Sequence, residues 1–140
     1  MVRVKMGLRE EMVLSNPKVL SNSGRVALRR GPLVYCFEDV DNPEVDVRDI
    51  ALTPETTFEP KWEETLGGIL TLGADVYALD GWGDRLYVPL DEVEVKLRRV
   101  KVKAEPYYAW GNRGNGRMVV WVRFSNPPDQ GTSRVEKSVC

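Results

Sequence analysis

The chain has 140 residues, enough for one domain with a real hydrophobic core. Hydrophobic residues make up 42% and charged residues 29%, as in an ordinary globular protein, and no apolar run approaches the roughly 20 residues that span a bilayer. A formal net charge of -1 gives no bulk attraction to nucleic acid or to an anionic membrane, and the absence of histidine removes the commonest general base, the commonest zinc ligand and every Ser-His or Cys-His nucleophile.

Val2, Val4 and Met6 alternate with Arg3 and Lys5, which is a half-buried strand signature and unlike a signal peptide; a cytoplasmic location is the default expectation. Met12 and Leu14 continue the alternation, and residues 21–24 form a turn cluster. Two strand-like runs follow, residues 25–30 and 33–38. The second is almost continuously apolar and suits a strand buried on both faces. Gly31-Pro32 between them predicts a kink or bulge, since proline cannot donate to a ladder. Cys36 lies in the second run and reads as a small buried hydrophobe; Cys140 is the last residue, and the two share no metal-ligand spacing.

Residues 39–60, with Pro43, Pro54 and Pro60, read as a long connection holding a short strand near residues 50–52. Residues 66–72 predict another strand, residues 80–84 a turn, and residues 85–89 a short strand. Val93, Val95 and Leu97 sit on odd positions, whereas Val100 and Val102 sit on even ones. That switch of parity predicts a bulge near Arg98-Arg99 in one long strand, in preference to a hairpin, because no Gly, Asn or Asp is present to turn the chain. Residues 117–124 predict the last strand, and residues 126–140 a disordered tail. Short strands separated by Gly/Pro turns, with little or no helix, predict an all-β fold, an antiparallel, jelly-roll-like β-sandwich over residues 1–125.

Between the two final strands lies the segment richest in chemistry, Pro106-Tyr107-Tyr108-Ala109-Trp110-Gly111-Asn112-Arg113-Gly114. Tyr107, Tyr108 or Trp110 can stack on a sugar ring while Asn112 and Arg113 bond its hydroxyls. The same residues can hold a corner of the fold, with Arg113 on backbone carbonyls or a carboxylate, or meet a neighbouring domain. The acidic residues Glu38, Asp39, Asp41, Glu63, Glu64, Asp91, Glu92, Glu94 and Glu105 offer no pair that sequence singles out for glycoside hydrolysis, which sets two carboxyl groups about 5 Å or about 6.5–9.5 Å apart. Asp39-Val40-Asp41-Asn42 has oxygen ligands of the kind calcium takes, without EF-hand spacing, and reads as a polar turn. Lys96, Arg98, Arg99, Lys101 and Lys103 alternate with valines and read as the solvent face of a strand. No catalytic residue, metal site or cofactor is assigned.

Two segments carry a resemblance to a family. Residues 24–38 (GRVALRRGPLVYCFE), followed by Asp41-Asn42-Pro43, resemble the "GRVALxRGPLVYCxE…DNP" stretch of bacterial β-L-arabinofuranosidases of glycoside hydrolase family 127. Residues 106–114 with Met118-Val119-Val120-Trp121-Val122 resemble that family's "PYYAWANRGxGxMxVW" close. The resemblance covers residues 1 to 124. It implies the C-terminal β-sandwich of an enzyme whose (α/α)6 barrel holds the active site, including a zinc-bound cysteine nucleophile, further cysteine and glutamate ligands and catalytic histidines. No residue of this chain matches those. The implied role is non-catalytic: to support the barrel that this chain lacks, or to associate subunits as a homo-oligomer. The alternative is a free-standing carbohydrate-binding module that takes an arabinose-containing glycan on its 107–113 face. An independent enzyme is the third reading; neither nucleic acid nor membrane is an expected partner.

Overall fold

The computed structural model describes residues 9–64, 67–111 and 116–125. The N-terminal alternation at residues 2–6, Asn112, Arg113 and the tail from residue 126 lie outside the described residues. Nine strands form one sheet: β1 (Glu10–Leu14), β2 (Arg25–Arg30), β3 (Leu33–Glu38), β4 (Ile50–Leu52), β5 (Glu59–Glu63), β6 (Ile69–Asp80), β7 (Lys96–Pro106), β8 (Met118–Val119) and β9 (Trp121–Phe124). The fold is all-β. The helical elements among the described residues are single 3₁₀ turns.

The pairing runs β2-β9-β4-β6-β7-β3, and β3 returns to β2 through Arg29–Val34 and Arg30–Leu33. Six strands thus close into a barrel, with β1, β5 and β8 as additions, where the sequence predicts an antiparallel sandwich. Nor is every pair antiparallel: β4 and β9 run parallel through Ala51–Arg123 and Leu52–Phe124. The closure explains the Gly31-Pro32 step. It is a two-residue hairpin turn rather than a bulge, and Gly31 has φ +58°, the positive φ that a type II′ turn asks of its first central residue.

β6 and β7 pair in a single uninterrupted register from Leu72–Ala104 to Asp80–Lys96. The one-strand reading therefore holds only from Lys96, since Val93 and Val95 lie outside β7, and the predicted bulge is not there. Val100, Val102 and Ala104 face the core, and Leu97 belongs to the outer face with Arg99 and Lys101. β6 extends well past its predicted end, and β5, which sequence reading missed, pairs its edge from Glu59–Gly73 to Glu63–Ile69. Residues 85–89, predicted as a strand, are irregular. The predicted last strand is broken at Val120: Met118 and Val119 pair with β3, whereas residues 121–124 insert between β2 and β4.

Inward residues of every barrel strand make the core, including Val26, Leu28, Tyr35, Phe37, Ile50, Leu52, Leu72, Val76, Val100, Val102 and Val122. Each large apolar side chain buried here contributes about 1.5–3 kcal/mol. The Tyr35 hydroxyl enters this interior by donating to the Leu70 carbonyl at 2.8 Å. Burial raises the pKa of Tyr35, which keeps it the neutral donor.

Candidate functional site

β3 and β7 bring the chain's two signature segments together. Tyr35 pairs with Pro106 and Cys36 with Glu105. Tyr35 and Phe37 point into the barrel, so Cys36, Glu38 and Glu105 occupy its outer face, yet all three are buried. A second layer must therefore cover this part of the wall, and the segment after β7 contributes to it. Pro106, at φ -57°, ends the strand and leads into a single 3₁₀ turn, Tyr107–Ala109. The Trp110 N–H donates to the Tyr107 carbonyl at 3.1 Å, and the Gly111 N–H reaches Glu38 Oε1 at 3.4 Å.

A 3₁₀ turn eclipses residues i and i+3. That is why Tyr107 and Trp110 stack, with centroids 6.2 Å apart and planes 17° apart. These rings are not buried in a corner: Tyr107, Tyr108 and Trp110 are 48%, 65% and 45% exposed. Leu33 and Val34, the first residues of β3, are also exposed. Continuing the Tyr35–Pro106 register by two residues brings them beside the turn, which β3 contacts. The three aromatic rings thus present an open face, flanked by Leu33 and Val34, which as neighbours in a strand point to opposite sides of it. Of the residues predicted to form the site, Tyr107, Tyr108 and Trp110 are together on this face; Asn112 and Arg113 lie outside the described residues.

Beneath it lies a cluster that sequence reading missed. One carboxylate oxygen from each of Glu38, Asp41 and Glu105 lies within 4.8 Å of the others. Glu38 is 3% exposed and Glu105 0%. Lys103 Nζ supplies compensating charge, 3.8 Å from Asp41 and 3.1 Å from Glu63 Oε2. Burial pushes the Glu63 carboxyl up, but the hydrogen bonds and charge of Lys103, with a hydrogen bond from Thr71, outweigh it and hold the group below its usual range. Asn42 fixes the Asp39–Asp41 turn against β7. Its amide donates to the Glu38 and Lys103 carbonyls at 2.9 and 3.1 Å, and its Oδ1 accepts the Lys103 N–H at 2.7 Å. The polar turn predicted at residues 39–42 is thus a clamp, held through its one buried residue, Asn42. The signal for it was Glu38 closing an apolar run, since a charge there needs partners.

Chemically, this cluster is ill-suited to hydrolysis. Its spacing is near that of a retaining pair, but carboxyl groups so buried do not meet a glycosidic oxygen. As a cation site it supplies three oxygens, where calcium takes about six to eight. On the outer face of β7 Lys101 bonds Asp75 at 3.1 Å and Arg99 lies 5.5 Å over the Tyr77 ring, while Arg98, of the opposite parity, donates to the Glu44 carbonyl at 3.0 Å. A cleft of about 620 Å³ between β5 and this face is lined by the same paired charges and by none of the exposed aromatics. Cys36 is buried, and among the described residues no helix is long and apolar enough to cross a membrane.

Residues 10–123 match the glycoside hydrolase family 127 C-terminal domain. The chain is 34% identical over 130 residues to the non-reducing end β-L-arabinofuranosidase of Bifidobacterium longum subsp. longum, which covers 87% of this chain and 19% of that protein. Its fold is similar to that of a crystallised family 127 β-L-arabinofuranosidase from Geobacillus stearothermophilus T6, with TM-score 0.74 and 38% identity over 84% of this chain and 18% of that one. A second family 127 β-arabinofuranosidase structure matches with TM-score 0.71 and 34% identity, over 84% of this chain and 17% of that one. The chain thus spans about a fifth of the length of the relatives it matches.

Proposed function

The chain belongs to glycoside hydrolase family 127, as that family's C-terminal domain, and from this premise we propose that it is a non-catalytic accessory domain that packs against the catalytic region of a larger β-L-arabinofuranosidase-like protein. The observation that carries the reading is the group of exposed aromatic rings Tyr107, Tyr108 and Trp110 on the turn beside β3. Apolar side chains in such a group mark a surface that another surface covers. Arabinofuranoside hydrolysis, the activity of the relatives, then belongs to the region that precedes this domain.

The test mixes the 140-residue chain with the Bifidobacterium enzyme shortened by its C-terminal fifth and follows association by sedimentation. Binding that weakens at least tenfold in Tyr108→Ala/Trp110→Ser is the expected result. Absence of binding, or binding indifferent to these substitutions, counts against this face. Sedimentation of the chain alone checks the related reading, in which the face associates subunits.

A second reading rests on the stacked Tyr107–Trp110 pair, which offers a flat platform to a sugar ring, with Asn112 and Arg113 as partners for hydroxyls. Arabinose-containing oligosaccharides would then quench tryptophan fluorescence saturably, and Trp110→Ala would abolish the quenching without unfolding the chain. A flat titration sinks the sugar reading and leaves the packing one intact.

A further inference from the structure

A second exposed surface lies apart from the aromatic face, on the connection between β6 and β7. Residues 81–95 leave the barrel after Asp80 and return at Lys96, positions that are themselves paired, so the connection is an arm rooted on a closed ladder. Its base is pinched: Gly81 has φ +129°, and a Cβ there would stand 2.5 Å from the Glu94 carbonyl oxygen. Local bonds brace it. The Arg85 N–H donates to the Trp82 carbonyl at 3.2 Å and the Glu92 N–H to the Pro89 carbonyl at 2.9 Å, while Arg85 approaches Glu92 at 3.8 Å. Trp82, Val88, Val93 and Val95 are half-buried. Leu86, Tyr87 and Leu90 are turned outward, 85%, 91% and 87% exposed, and are the most exposed large apolar residues among those described.

The charge of the arm narrows what can cover it. Asp84, Asp91, Glu92 and Glu94 stand against Arg85 alone, a net charge of -3 on fifteen residues. Two copies meeting arm to arm would bring like charges together around an apolar centre, which is unfavourable. A complementary surface has an apolar hollow with a basic rim. About four-fifths of each relative lies outside the region that this chain matches, and in a protein of that length the missing part is tethered to the domain at high effective concentration.

We propose that residues 81–95 are a docking arm that seats Leu86, Tyr87 and Leu90 in a basic-rimmed apolar hollow on the part of the same polypeptide preceding this domain. The proposal rests on the accessory-domain reading and adds a second attachment point to it, distinct from the aromatic face. Two attachments would fix the orientation of the domain as well as its position.

The experiment uses the same shortened Bifidobacterium enzyme as a probe, with wild-type chain, the triple variant Leu86→Ser/Tyr87→Ser/Leu90→Ser and the charge variant Asp91→Lys/Glu92→Lys. Circular dichroism establishes that each variant is folded. The triple variant should bind at least about tenfold more weakly. The charge variant should bind more weakly at low salt and lose the salt dependence of the wild type. Hydrogen exchange adds a readout that needs no separate partner: in a fusion of the shortened enzyme to this chain, amides of residues 84–92 should exchange more slowly than in the isolated chain. If wild-type and triple variant bind equally while Tyr108→Ala/Trp110→Ser does not, the arm is not a docking element and the accessory reading stands. If the isolated chain dimerises and the triple variant does not, the occupant is a second copy and the proposal is overturned. If the wild-type chain neither binds the probe nor gains protection in the fusion, the accessory reading falls with it.

Discussion

Glu105 on β7 is paired with Cys36 on β3, one rung from the Tyr35–Pro106 pair at which the two segments that carry the family's signature meet. They stand 69 positions apart in the sequence, yet both side chains share the outer wall of the barrel and both are buried. The signature therefore marks a two-layered seam, with core residues inside and carboxylates outside, closed over by the turn at residues 39–42 and the segment after Pro106.

The seam depends on Asn42, whose amide makes three hydrogen bonds to Glu38 and Lys103 while itself buried. Asn42→Ala leaves two carbonyls and one N–H without these partners and should cost about 2–4 kcal/mol. Asn42→Asp keeps the acceptor for the Lys103 N–H but loses both donors and places a fourth carboxylate near the cluster, so it should be no better tolerated. Urea unfolding of both variants checks the ranking; a loss below about 0.5 kcal/mol in Asn42→Ala would remove the clamp from the account.

Gly81 and Gly83 both have positive φ, but their surroundings differ. A methyl on Gly81 meets the Glu94 carbonyl, whereas one on Gly83 meets open space. Gly83→Ala should cost about 1 kcal/mol, the backbone penalty alone. Gly81→Ala adds a steric clash with rigid backbone and should cost about 2 kcal/mol more. Thermal melts of the two single variants measure the difference.

Asp46 caps the 3₁₀ turn Val47–Asp49 by accepting the Arg48 N–H at 2.9 Å, and it also binds the guanidinium groups of Arg48 at 2.7 Å and Arg117 at 2.9 Å. The Arg48 hydrogen bond is the main cause that holds its carboxyl well below the ordinary value of 3.8, with the Arg117 charge adding to it. A pKa lowered by folding stabilises the native state above the unfolded-state value, and that stabilisation is lost as pH falls through the folded-state value. Asp46→Asn keeps a capping oxygen but removes the charge. The stability gap between wild type and Asp46→Asn should therefore be full at pH 6, begin to close below about pH 4 and vanish at more acid pH. A gap that does not change with pH would show that the ion pairs are inert.

Cys36 is fully buried. A thiol in that setting reacts only when the strand opens. Pulse alkylation with mass analysis of the Cys36 peptide should show no labelling under native conditions and complete labelling in denaturant. Its protection should disappear at the same urea concentration as the Tyr35–Leu70 contact.

Period-2 patterning made most of the barrel legible, because β2, β3, β4, β7 and the start of β6 bury apolar residues on at least one face. It could not reveal closure. Whether β3 pairs with β2 or leaves for another sheet depends on the positive φ of Gly31, and Gly-Pro is compatible with either a bulge or a turn. Leu97 misled for a related reason: an apolar residue on the outer face, beside Tyr77 and Leu79, looks like a change of register when the partner strand is unknown. β5 was hidden because Glu-Pro-Lys-Trp-Glu is an edge strand, held by one neighbour and carrying no alternation of burial. At the site, the aromatic residues were legible and their exposure was not. Glu38 at the end of an apolar run was the one sequence signal of the buried carboxylates, and its partners could not be read, since Glu38, Asp41 and Glu105 acquire their common environment only through the β3–β7 pairing.

The insertion of β9 between β2 and β4 has a consequence for biosynthesis. The strand that completes the ring is the last of those described to be made. A nascent chain that has not yet released residues 121–124 from the ribosome holds β2 and β4 with bare edges and the core open to water. The domain therefore closes only after translation of almost its whole length, when any region encoded ahead of it has already emerged and is available as a surface on which to close.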